Sequence, residues 1–450
     1  MIARDLRRLV LLLCPLVALL LLTAGLWHTQ PDYLSVRVGQ FLGRPVDSGS
    51  AEAGDQQDET LAAISWDSHG RPDPLPPPAT WHKIFSASTT DKKYFEIQFG
   101  NVPVFNPNIL PHPTQNDTWM LMAQKWTDHQ AADNGFISLE VGCDAKFSAD
   151  ILKCVYDPKP LPIEPTAGDK CTGKFEALNL NQGPHDARAF YGPTKPYTVY
   201  GSNSAFTCFG QWIQDFRTLV DWPAEPLVAD DFEFGTELQR PFPYGILEKN
   251  FFAFWDKDDK MYIHYDMYPK RSFAAVDGKG AVVGSDLAPK AARHDSKCMG
   301  RYMPKLPPKL ESIHQATNSL KVTLCSRSDE QCKPDDSNTF IMAIIQHKTF
   351  YSYHSEYEPY VVLFRQRAPF EMYAMSKKPI WIHGRGRNEE QRRTDMLYVT
   401  SMAWKEHGVK YHAFLDDVVF LGFGVEDKGA GGMDVRAGEL LKGLGLCSEA

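Results

Sequence analysis

Long helical periodicity is nearly absent from this chain of 450 residues. Apolar residues recur in short runs bounded by Gly, Pro, Asn or Asp, and this pattern predicts β-strands rather than helices. The two exceptions are an uncharged apolar run from Leu9 to Trp27 and a short helix predicted from Asp434 to Leu444, ended by Gly445. Helical bundles and folds that alternate strands with helices are therefore excluded.

Clustered positive charge is also missing. The formal net charge is −8, and the Arg-rich stretch from Arg385 to Arg393 is interrupted by Glu389 and Glu390. Nucleic-acid binders neutralise phosphates with basic stripes, so the composition excludes a nucleic-acid partner. The hydrophobic content of 43% is high enough for a large folded core and excludes a disordered chain.

Motifs for metals and redox cofactors are lacking. No Cys-x-x-Cys pair and no Cys/His cluster with zinc spacing occurs. Asp256-Lys257-Asp258 is the nearest approach to the Asp-x-Asp motif of metal-dependent nucleotide-sugar transferases, and its place in a predicted hairpin turn argues against that role. We therefore expect a reaction without a bound metal or cofactor.

The nine cysteines indicate an oxidising compartment. Cys14 lies in the apolar run, which leaves eight cysteines for the folded body. An even number without metal spacing predicts structural disulfides, and short loops favour Cys143 with Cys154 and Cys325 with Cys332. The sequon at Asn116, in Asn116-Asp117-Thr118, predicts a glycosylated surface loop.

The N-terminus predicts a membrane anchor. Arg4, Arg7 and Arg8 precede Leu9–Trp27, which is long enough to span a bilayer. A cleaved signal peptide is the alternative, but its apolar region is usually shorter. By the positive-inside rule, residues 1–8 are cytosolic and the remainder is lumenal, as in a type II protein of the endoplasmic reticulum or Golgi. Residues 28–80, rich in polar residues and Pro, predict a stem.

Residues 81–450 predict an all-β body. A sandwich, a barrel and a propeller all fit many short strands, and the size favours a propeller of about five four-stranded blades. The predicted strands are Tyr94–Phe99, Trp119–Ala123, Phe136–Val141, Tyr197–Tyr200, Ala205–Phe209, Phe251–Trp255, Met261–Tyr265, Leu320–Leu324, Thr339–Gln346, Tyr360–Phe364, Met396–Ala403, Lys410–Phe414 and Val418–Phe423.

The stretch from Gly183 to Trp212 contains the first candidate for chemistry. Gly183-Pro184 predicts a turn, and strand-like alternation follows. Asp186 and Arg188 are two residues apart at the mouth of this predicted hairpin, where both can point to one side. A solvated ion pair at a strand edge is the alternative interpretation.

Four other stretches place polar residues where predicted strands end. In a propeller, such residues surround a central pocket and can contact a hydroxyl-rich ligand. Surface pairs, a core histidine and ordinary turn acids are the alternatives. The candidates are Glu248, Lys249 and Asn250, then Tyr265, then His347 and Lys348, then Asp417, which leads towards Glu426-Asp427.

In combination these residues resemble those of five-bladed propellers that act on mannosides. The matching stretches are Asn106-Pro107-Asn108, Gly183 to Arg188, Glu248 to Phe251, Tyr262 to Pro269 and His347-Lys348. The group includes fungal β-1,2-mannosyltransferases and mannoside phosphorylases, whose usual patterns are Glu-Asp-Pro-Arg and Glu-Lys-Asn-Trp. In this chain His185, Ala187 and Phe251 replace the Glu, Pro and Trp.

The resemblance implies a role for each candidate. Asp186 would be the catalytic carboxylate, and Arg188 would hold it ionised or bind an anionic leaving group. Lys249, His347 and Lys348 would bind phosphate or a nucleotide diphosphate, while Asn106, Glu248, Asn250, Tyr265 and Asp417 would bind sugar. The expected function is a lumenal transferase that moves mannose from a donor such as GDP-mannose to a glycan acceptor of a protein, lipid or fungal cell wall. A propeller hydrolase or phosphorylase and a non-catalytic glycan-binding propeller are the alternatives.

Overall fold

In this computed structural model the described residues are 80–126, 136–222, 231–307, 310–351, 353–388 and 390–450. Residues 1–79, which contain the predicted anchor and nearly all of the predicted stem, lie outside these ranges. Within the described ranges, no helix combines the length and the apolar character needed to cross a bilayer.

The described chain is all-β with few helices, which confirms the predicted class. The strands, in chain order, are β1 His82–Ile84, β2 Phe95–Gln98, β3 Val104–Pro111, β4 Trp119–Lys125, β5 Phe136–Ile137, β6 Glu140–Ser148, β7 Ile151–Cys154, β8 Lys159–Pro160, β9 Asn181–Gln182, β10 His185–Tyr191, β11 Pro196–Asn203, β12 Phe209–Asp215, β13 Thr236–Glu237, β14 Phe252–Trp255, β15 Met261–Asp266, β16 Ser272–Val276, β17 Val282–Val283, β18 Glu311–His314, β19 Leu320–Thr323, β20 Thr339–Tyr351, β21 His354–Arg365, β22 Met372–Ser376, β23 Ile380–Ile382, β24 Arg387–Asn388, β25 Arg393–Thr394, β26 Leu397–Trp404, β27 His412–Phe414, β28 Val418–Val425, β29 Gly429–Arg436 and β30 Leu444–Leu446.

The helical elements in the same ranges are short. They are α1 Ala288–Tyr302, α2 Ala437–Leu440 and the 3₁₀ turns Gly173–Leu180, Phe216–Thr218 and Cys447–Glu449.

Most of the strands form antiparallel groups of four. Two groups are separate sheets, β10-β11-β12-β13 and β14-β15-β16-β17. A nine-stranded sheet contains two more, β3-β4-β6-β7 and β26-β28-β29-β2, which are joined by parallel pairing of β2 with β7. The fifth group, β19-β20-β21-β22, is extended by β18, β27 and β30. Strand β2 thus completes a group whose other members come from the end of the chain.

Side-chain hydrogen bonds link the first strands of the five groups, β3, β10, β14, β19 and β26, into a closed ring. Two links are made by buried amides. The Asn108 amide donates to the carbonyl of Ala187 and accepts from the N–H of Ala189, and Asn318 makes the same pair of bonds with the backbone of Met402. The remaining links are Arg188 to Asn250 at 2.6 Å, Ser319 to the carbonyl of Ala253 at 2.7 Å and Ser401 to the carbonyl of Pro107 at 3.0 Å.

The core lies between the groups. Four of the five groups contribute to one continuous cluster of buried side chains, whereas β3-β4-β6-β7 packs in separate clusters with Phe420 and Ala430 and with residues of β10 and β11. Burying each large side chain contributes roughly 1.5–3 kcal/mol. Members of one continuous cluster include Val199, Trp255, Phe340, Val399 and Phe423.

The cysteine pairs agree with the sequence prediction. Cys143 bonds Cys154 and Cys325 bonds Cys332, as predicted. Cys171–Cys208 and Cys298–Cys447, which spacing alone could not assign, complete the four disulfides.

The predicted C-terminal helix from Asp434 to Leu444 is wrong. Strand β29 continues to Arg436, and only Ala437–Leu440 is helical. The carboxylate of Asp434 is fully buried and accepts hydrogen bonds from Ser86, Ser88 and Lys405, which fixes this residue in the sheet. Tertiary contacts override the local helix signal here.

Helix α1 was not predicted from the sequence. Its buried residues follow helical spacing, but they are Ala288, Ala291, Asp295, Cys298 and Tyr302, so the apolar stripe is weak. An Asp286 carboxylate oxygen accepts the N–H of Ala288 at 2.9 Å at its start.

The predicted strand Ala205–Phe209 is also wrong, because β12 begins only at Phe209 and residues 204–208 form the loop after β11. The Ser204 hydroxyl accepts the N–H groups of Phe206 and Thr207 at 2.9 Å, which closes a turn.

Candidate active site

A repeated backbone distortion marks one end of the ring. Asn106, Asp186 and Asn250 have φ values of 54°, 50° and 63° and lie at or near the starts of β3, β10 and β14. Register shifts in β3 and β10 fall on the first two of these positions. Bulges re-aim side chains and short polar residues tolerate the left-handed region. The three side chains consequently leave the sheet alternation at the same end of the ring.

Asp186 is held from two neighbouring strands. Its carboxylate accepts a hydrogen bond from the Asn106 amide at 3.1 Å, and its backbone N–H donates to the Gln124 side chain at 3.0 Å. The sequence predicted a regular extended segment here. In the bulge, Asp186 is instead fixed by β3 and β4, so its position depends on residues about 60–80 positions earlier in the chain.

A second acid lies directly behind this bulge. Glu140 is only 1% exposed, and one carboxyl oxygen accepts the N–H of Ala187 at 3.2 Å. Burial, reinforced by the charge of Asp186, raises its pKa well above the usual range. Glu140 therefore supports the bulge from behind through this hydrogen bond.

Arg188 faces away from the Asn106 side of the cluster. Its guanidinium donates to the Asn250 amide oxygen at 2.6 Å and also bonds Tyr398. Arg188 is 3% exposed, and its buried Nε has no hydrogen-bond partner among the described residues. A buried guanidinium with one donor unused retains capacity for an anionic or hydroxyl-bearing ligand.

Two lysines approach this group from the next strands. Burial lowers the pKa of Lys249, while the charges of Asp186 and Arg188 act on it in opposite directions. Burial and the charge of Lys249 lower the pKa of Lys348 to about 8. The Lys348 ammonium lies 5.5 Å from the Tyr357 ring centre. The two ammonium groups therefore repel each other in a poorly hydrated setting, and a bound anion would relieve that repulsion.

Asp427, in the β28–β29 turn, joins the cluster. Burial and the nearby Asp186 raise its pKa to about 6, partly offset by Lys348. Its side chain is nevertheless exposed to solvent. Solvent, and therefore a dissolved ligand, reaches the cluster on the Asp427 side.

Aromatic rings and one histidine complete the wall. Tyr357 and Tyr398 have ring centres 4.4 Å apart, and His314 meets Tyr357 edge-on at 5.8 Å. Burial, then the charges of Lys348, Lys249 and Arg188, lower the pKa of His314 well below its usual value. His314 is therefore neutral at pH 7, and the charges of all three cations act on it.

The structure places four other predicted residues outside this cluster. Glu248 pairs with Arg240 at 2.8 Å, and the Tyr265 ring lies 5.6 Å from the same guanidinium. His347 bonds the buried Glu311 at 2.6 Å.

Asp417 is the fourth of these residues. It pairs with Arg327 at 2.7 Å and accepts the N–H of Phe414. It precedes β28 whereas Asp427 follows that strand, and eight residues of strand span about 25 Å.

The sequence analysis missed four members of the cluster. Glu140, His314, Tyr357 and Tyr398 lie within or at the ends of strands and carry no motif. Asp427 was predicted only as a turn acid. In the structure Glu426 and Asp427 both have positive φ values, 54° and 48°, so the turn that carries them is constrained. Asn116 is exposed in the β3–β4 turn, where a glycan has room.

Two cavities lie away from the cluster. One of about 380 Å³ is lined by residues including Lys195, Trp255 and Asp277. A second of about 200 Å³ is lined by residues including His112, Arg217 and Trp222. Neither touches Asp186, and we locate the chemistry at the cluster because perturbed titrating groups gather there. No group of three metal-ligating side chains occurs within the described ranges.

No protein-family model matches the chain, and no curated protein matches it. Similar solved structures include a β-1,2-mannobiose phosphorylase from Listeria innocua, 11% identical with a TM-score of 0.40 over 76% of this chain and 91% of the other. A GDP-mannose-dependent mannosyltransferase from Leishmania mexicana is 11% identical, with a TM-score of 0.38 over 76% and 89%.

A third similar structure belongs to work on glycoside hydrolases of the GH130 family of mannoside phosphorylases that target β-1,2-mannosidic linkages in Candida mannan. It is 11% identical, with a TM-score of 0.40 over 80% of this chain and 96% of the other. Scores and identities at this level do not assign an activity to the chain.

Proposed function

We propose that this protein is a membrane-anchored glycosyltransferase with a five-bladed β-propeller body, and that it transfers mannose from a nucleotide-diphosphate donor to a glycan acceptor. The observation that carries the proposal is the cluster at the ring, where Asp186 lies near Lys249 and Lys249 lies near Lys348. The five groups of strands joined through their first strands support the propeller.

Acid–base chemistry falls to Asp186. In transfer, an acceptor hydroxyl oxygen bonds to the anomeric carbon of the donor, its proton passes to a carboxylate, and the diphosphate leaves with the electrons of the broken C–O bond. The amide of Asn106 orients the Asp186 carboxylate for this task. Asn250 and Arg188 are placed to bond sugar hydroxyls or a phosphate oxygen.

Charge compensation falls to Lys249 and Lys348. The departing diphosphate carries growing negative charge, and ammonium groups prepared in a poorly hydrated recess stabilise it without reorganisation. Burial lowers the pKa of both lysines, so keeping each ammonium charged carries a cost. Donor binding reverses that cost, which is the behaviour expected of an anion site.

A second candidate function is hydrolysis or phosphorolysis of a mannoside. Asp427 favours it, because hydrolases use two carboxyl groups and the raised pKa of Asp427 makes it a second titrating acid coupled to Asp186. We rank it below transfer because Lys249 and Lys348 supply more positive charge than a neutral glycoside requires. Phosphorolysis would use the same lysines for inorganic phosphate.

We also propose that residues 9–27 anchor the enzyme in the Golgi or endoplasmic reticulum membrane. Charge and hydropathy of the N-terminus support this. The disulfides of the folded body agree with a lumenal site, where such bonds persist.

A donor panel separates the candidates. The full-length protein is incubated with GDP-mannose and other nucleotide sugars, mannose-containing acceptors and, separately, inorganic phosphate, and products are weighed by mass spectrometry. Transfer predicts an acceptor heavier by one hexose. Free hexose without a donor would indicate a hydrolase, a sugar phosphate would indicate a phosphorylase, and binding of glycans without any product would indicate a non-catalytic propeller.

A further inference from the structure

An exposed aromatic surface lies on two loops beside the cluster. Phe242 is 88% exposed and Phe206 is 45% exposed. The Phe206 ring stacks on Tyr244 with centres 5.7 Å apart at an interplanar angle of 16°, and Phe242 meets Tyr244 edge-on at 5.3 Å. We call these three residues the aromatic platform. Large rings grouped in water are unfavourable unless something covers them.

The platform is held in place by the loops that carry it. The Tyr244 hydroxyl accepts the N–H of Arg240 at 3.3 Å, and the Thr207 hydroxyl donates to the carbonyl of Gly245 at 2.6 Å. Arg240 is itself fixed by Glu248 and Asp266. The rings are consequently arranged before any ligand arrives, which lowers the entropy cost of binding.

The same loops lead to the catalytic cluster. Phe209 packs against the ring of His185, the residue before Asp186, with centres 5.7 Å apart. Phe206 is three residues from Phe209, so their Cα atoms are at most about 11 Å apart. The platform loop also ends at Lys249 and Asn250. A ligand that fills the cluster and extends outwards therefore reaches the platform.

We propose that the aromatic platform is a remote subsite that binds the extended part of an oligosaccharide acceptor, a proposal that rests on the glycan-directed function above. Flat ring faces match the apolar C–H faces of sugar rings, and aromatic residues supply contact area at low conformational cost. The consequence is selectivity for long acceptors over short ones.

The surrounding charge argues against a membrane surface. Anionic lipids attract clusters of Lys and Arg beside exposed aromatics. Here the stretch 231–250 contains the acids Asp231, Glu233, Glu237 and Glu248 against the bases Arg240 and Lys249. Three rings also offer far less area than the roughly 800 Å² per partner of a stable protein interface.

The test compares Phe242→Ala with Tyr156→Ala in the full-length protein. Tyr156 is a matched control because it is 81% exposed but follows β7, the outermost strand of its group. For each variant, kcat/KM is measured with a mannose hexasaccharide and with a disaccharide. We expect Phe242→Ala to reduce the hexasaccharide-to-disaccharide ratio about tenfold, as for loss of one aromatic anchor. Phe242→Trp, which keeps a ring face, should preserve the ratio.

A binding measurement without turnover tests the aromatic platform independently of the proposed transferase activity. Affinity electrophoresis in gels containing mannan is performed on the wild type, Phe242→Ala and Asp186→Asn. Retardation that Phe242→Ala loses and Asp186→Asn keeps supports the platform even if no transfer is found. Equal retardation and equal ratios for wild type and Phe242→Ala would overturn it. Binding to phosphatidylserine vesicles that Phe242→Ala weakens, together with no binding of the wild type to mannan, would overturn it as well.

Discussion

Two groups of charged residues in this protein are arranged differently. At the end of β12, the carboxylate of Asp215 accepts Arg217 at 2.6 Å and Lys195 at 3.2 Å, so one acid lies between two bases. At the ring, the bases Lys249 and Lys348 and the acids Asp186 and Asp427 are grouped together, so each side chain has a like charge nearby as well as an opposite one. The first arrangement satisfies each charge inside the protein. The second also places like charges close to one another, and burial and the repulsion between them lower the pKa of Lys348 and raise that of Asp427.

This comparison shows how a ligand site can be recognised when its sequence motif is incomplete. Buried opposite charges stabilise one another once the fold is made. Buried like charges destabilise the fold, and proteins tolerate such strain where function requires it. Four predictions test the difference between the two groups.

Removing the negative charge of Asp215 should destabilise the folded protein. Asp215→Asn keeps the side-chain volume but leaves Lys195 and Arg217 without their counter-ion, and we expect the free energy of unfolding to fall by about 3–5 kcal/mol. Urea unfolding followed by circular dichroism measures it. The matched change Asp427→Asn at the ring should not destabilise; a larger loss there than at Asp215 would refute the distinction.

The like-charge group should set the pH dependence of the reaction. We expect activity to depend on the ionised form of Asp427, which is coupled to Asp186, and on the protonated form of Lys348; their pKa values are about 6 and about 8. We expect kcat/KM to rise up to the first value and fall above the second, changing about tenfold per pH unit outside this window. Asp427→Asn should remove the acid limb from the residual activity. A profile with both limbs unchanged in that variant would assign them to other groups.

The same two groups should also make the stability of the folded protein depend on pH. The pKa of Asp427 is raised, so its favourable contribution to folding is present below its ordinary value and is lost as pH rises through about 6. The pKa of Lys348 is lowered, so its contribution is present above its ordinary value and is lost as pH falls through about 8. Between these values both charges weaken the empty fold.

Lys348→Met should therefore stabilise the empty protein at pH 7 by about 1–2 kcal/mol while weakening the donor site. Thermal unfolding without ligand gives the first quantity, and KM for the donor gives the second. We expect a higher midpoint of unfolding together with a higher KM. A lower midpoint would show that Lys348 is structural in the way that Lys195 is.

The sequence predicted the strands of this fold better than the distorted backbone at the candidate site. Short apolar runs at Tyr197–Tyr200 and Met261–Tyr265 identified strands, because burial on both faces leaves a local apolar signal. The bulges at Asn106 and Asp186 could not be read in this way, since they depend on pairing with β4 and β11.

The candidate residues show the same division. Asp186, Arg188, Lys249 and Lys348 came from short motifs, and the structure places them around one recess. Asp417 and Asp427 look equivalent as turn acids, but the strand between them puts them at opposite ends of β28. Glu140 carries no local signal at all, because only tertiary contact brings it behind Ala187.

The smallest predicted effect concerns the strained backbone at Asn106, where φ is 54°. Asn106→Ala and Asn106→Gly both remove the amide that orients Asp186, but only Ala is strained in the left-handed region. We expect equal losses of transfer and a difference in stability of about 1 kcal/mol in favour of Gly. Activity retained by both variants would show that the Asn106–Asp186 bond does not orient the catalytic group.

The most direct test of the account is the activity of Asp186→Asn measured together with its thermal unfolding. In full-length protein supplied with GDP-mannose and a mannose-containing acceptor, hexose addition is followed by mass spectrometry. We predict that the variant melts within about 3 °C of the wild type, while transfer falls by about 10²–10⁴-fold, the range typical of a lost acid–base group. Unchanged transfer by a folded variant would contradict the central claim that this cluster is the catalytic site.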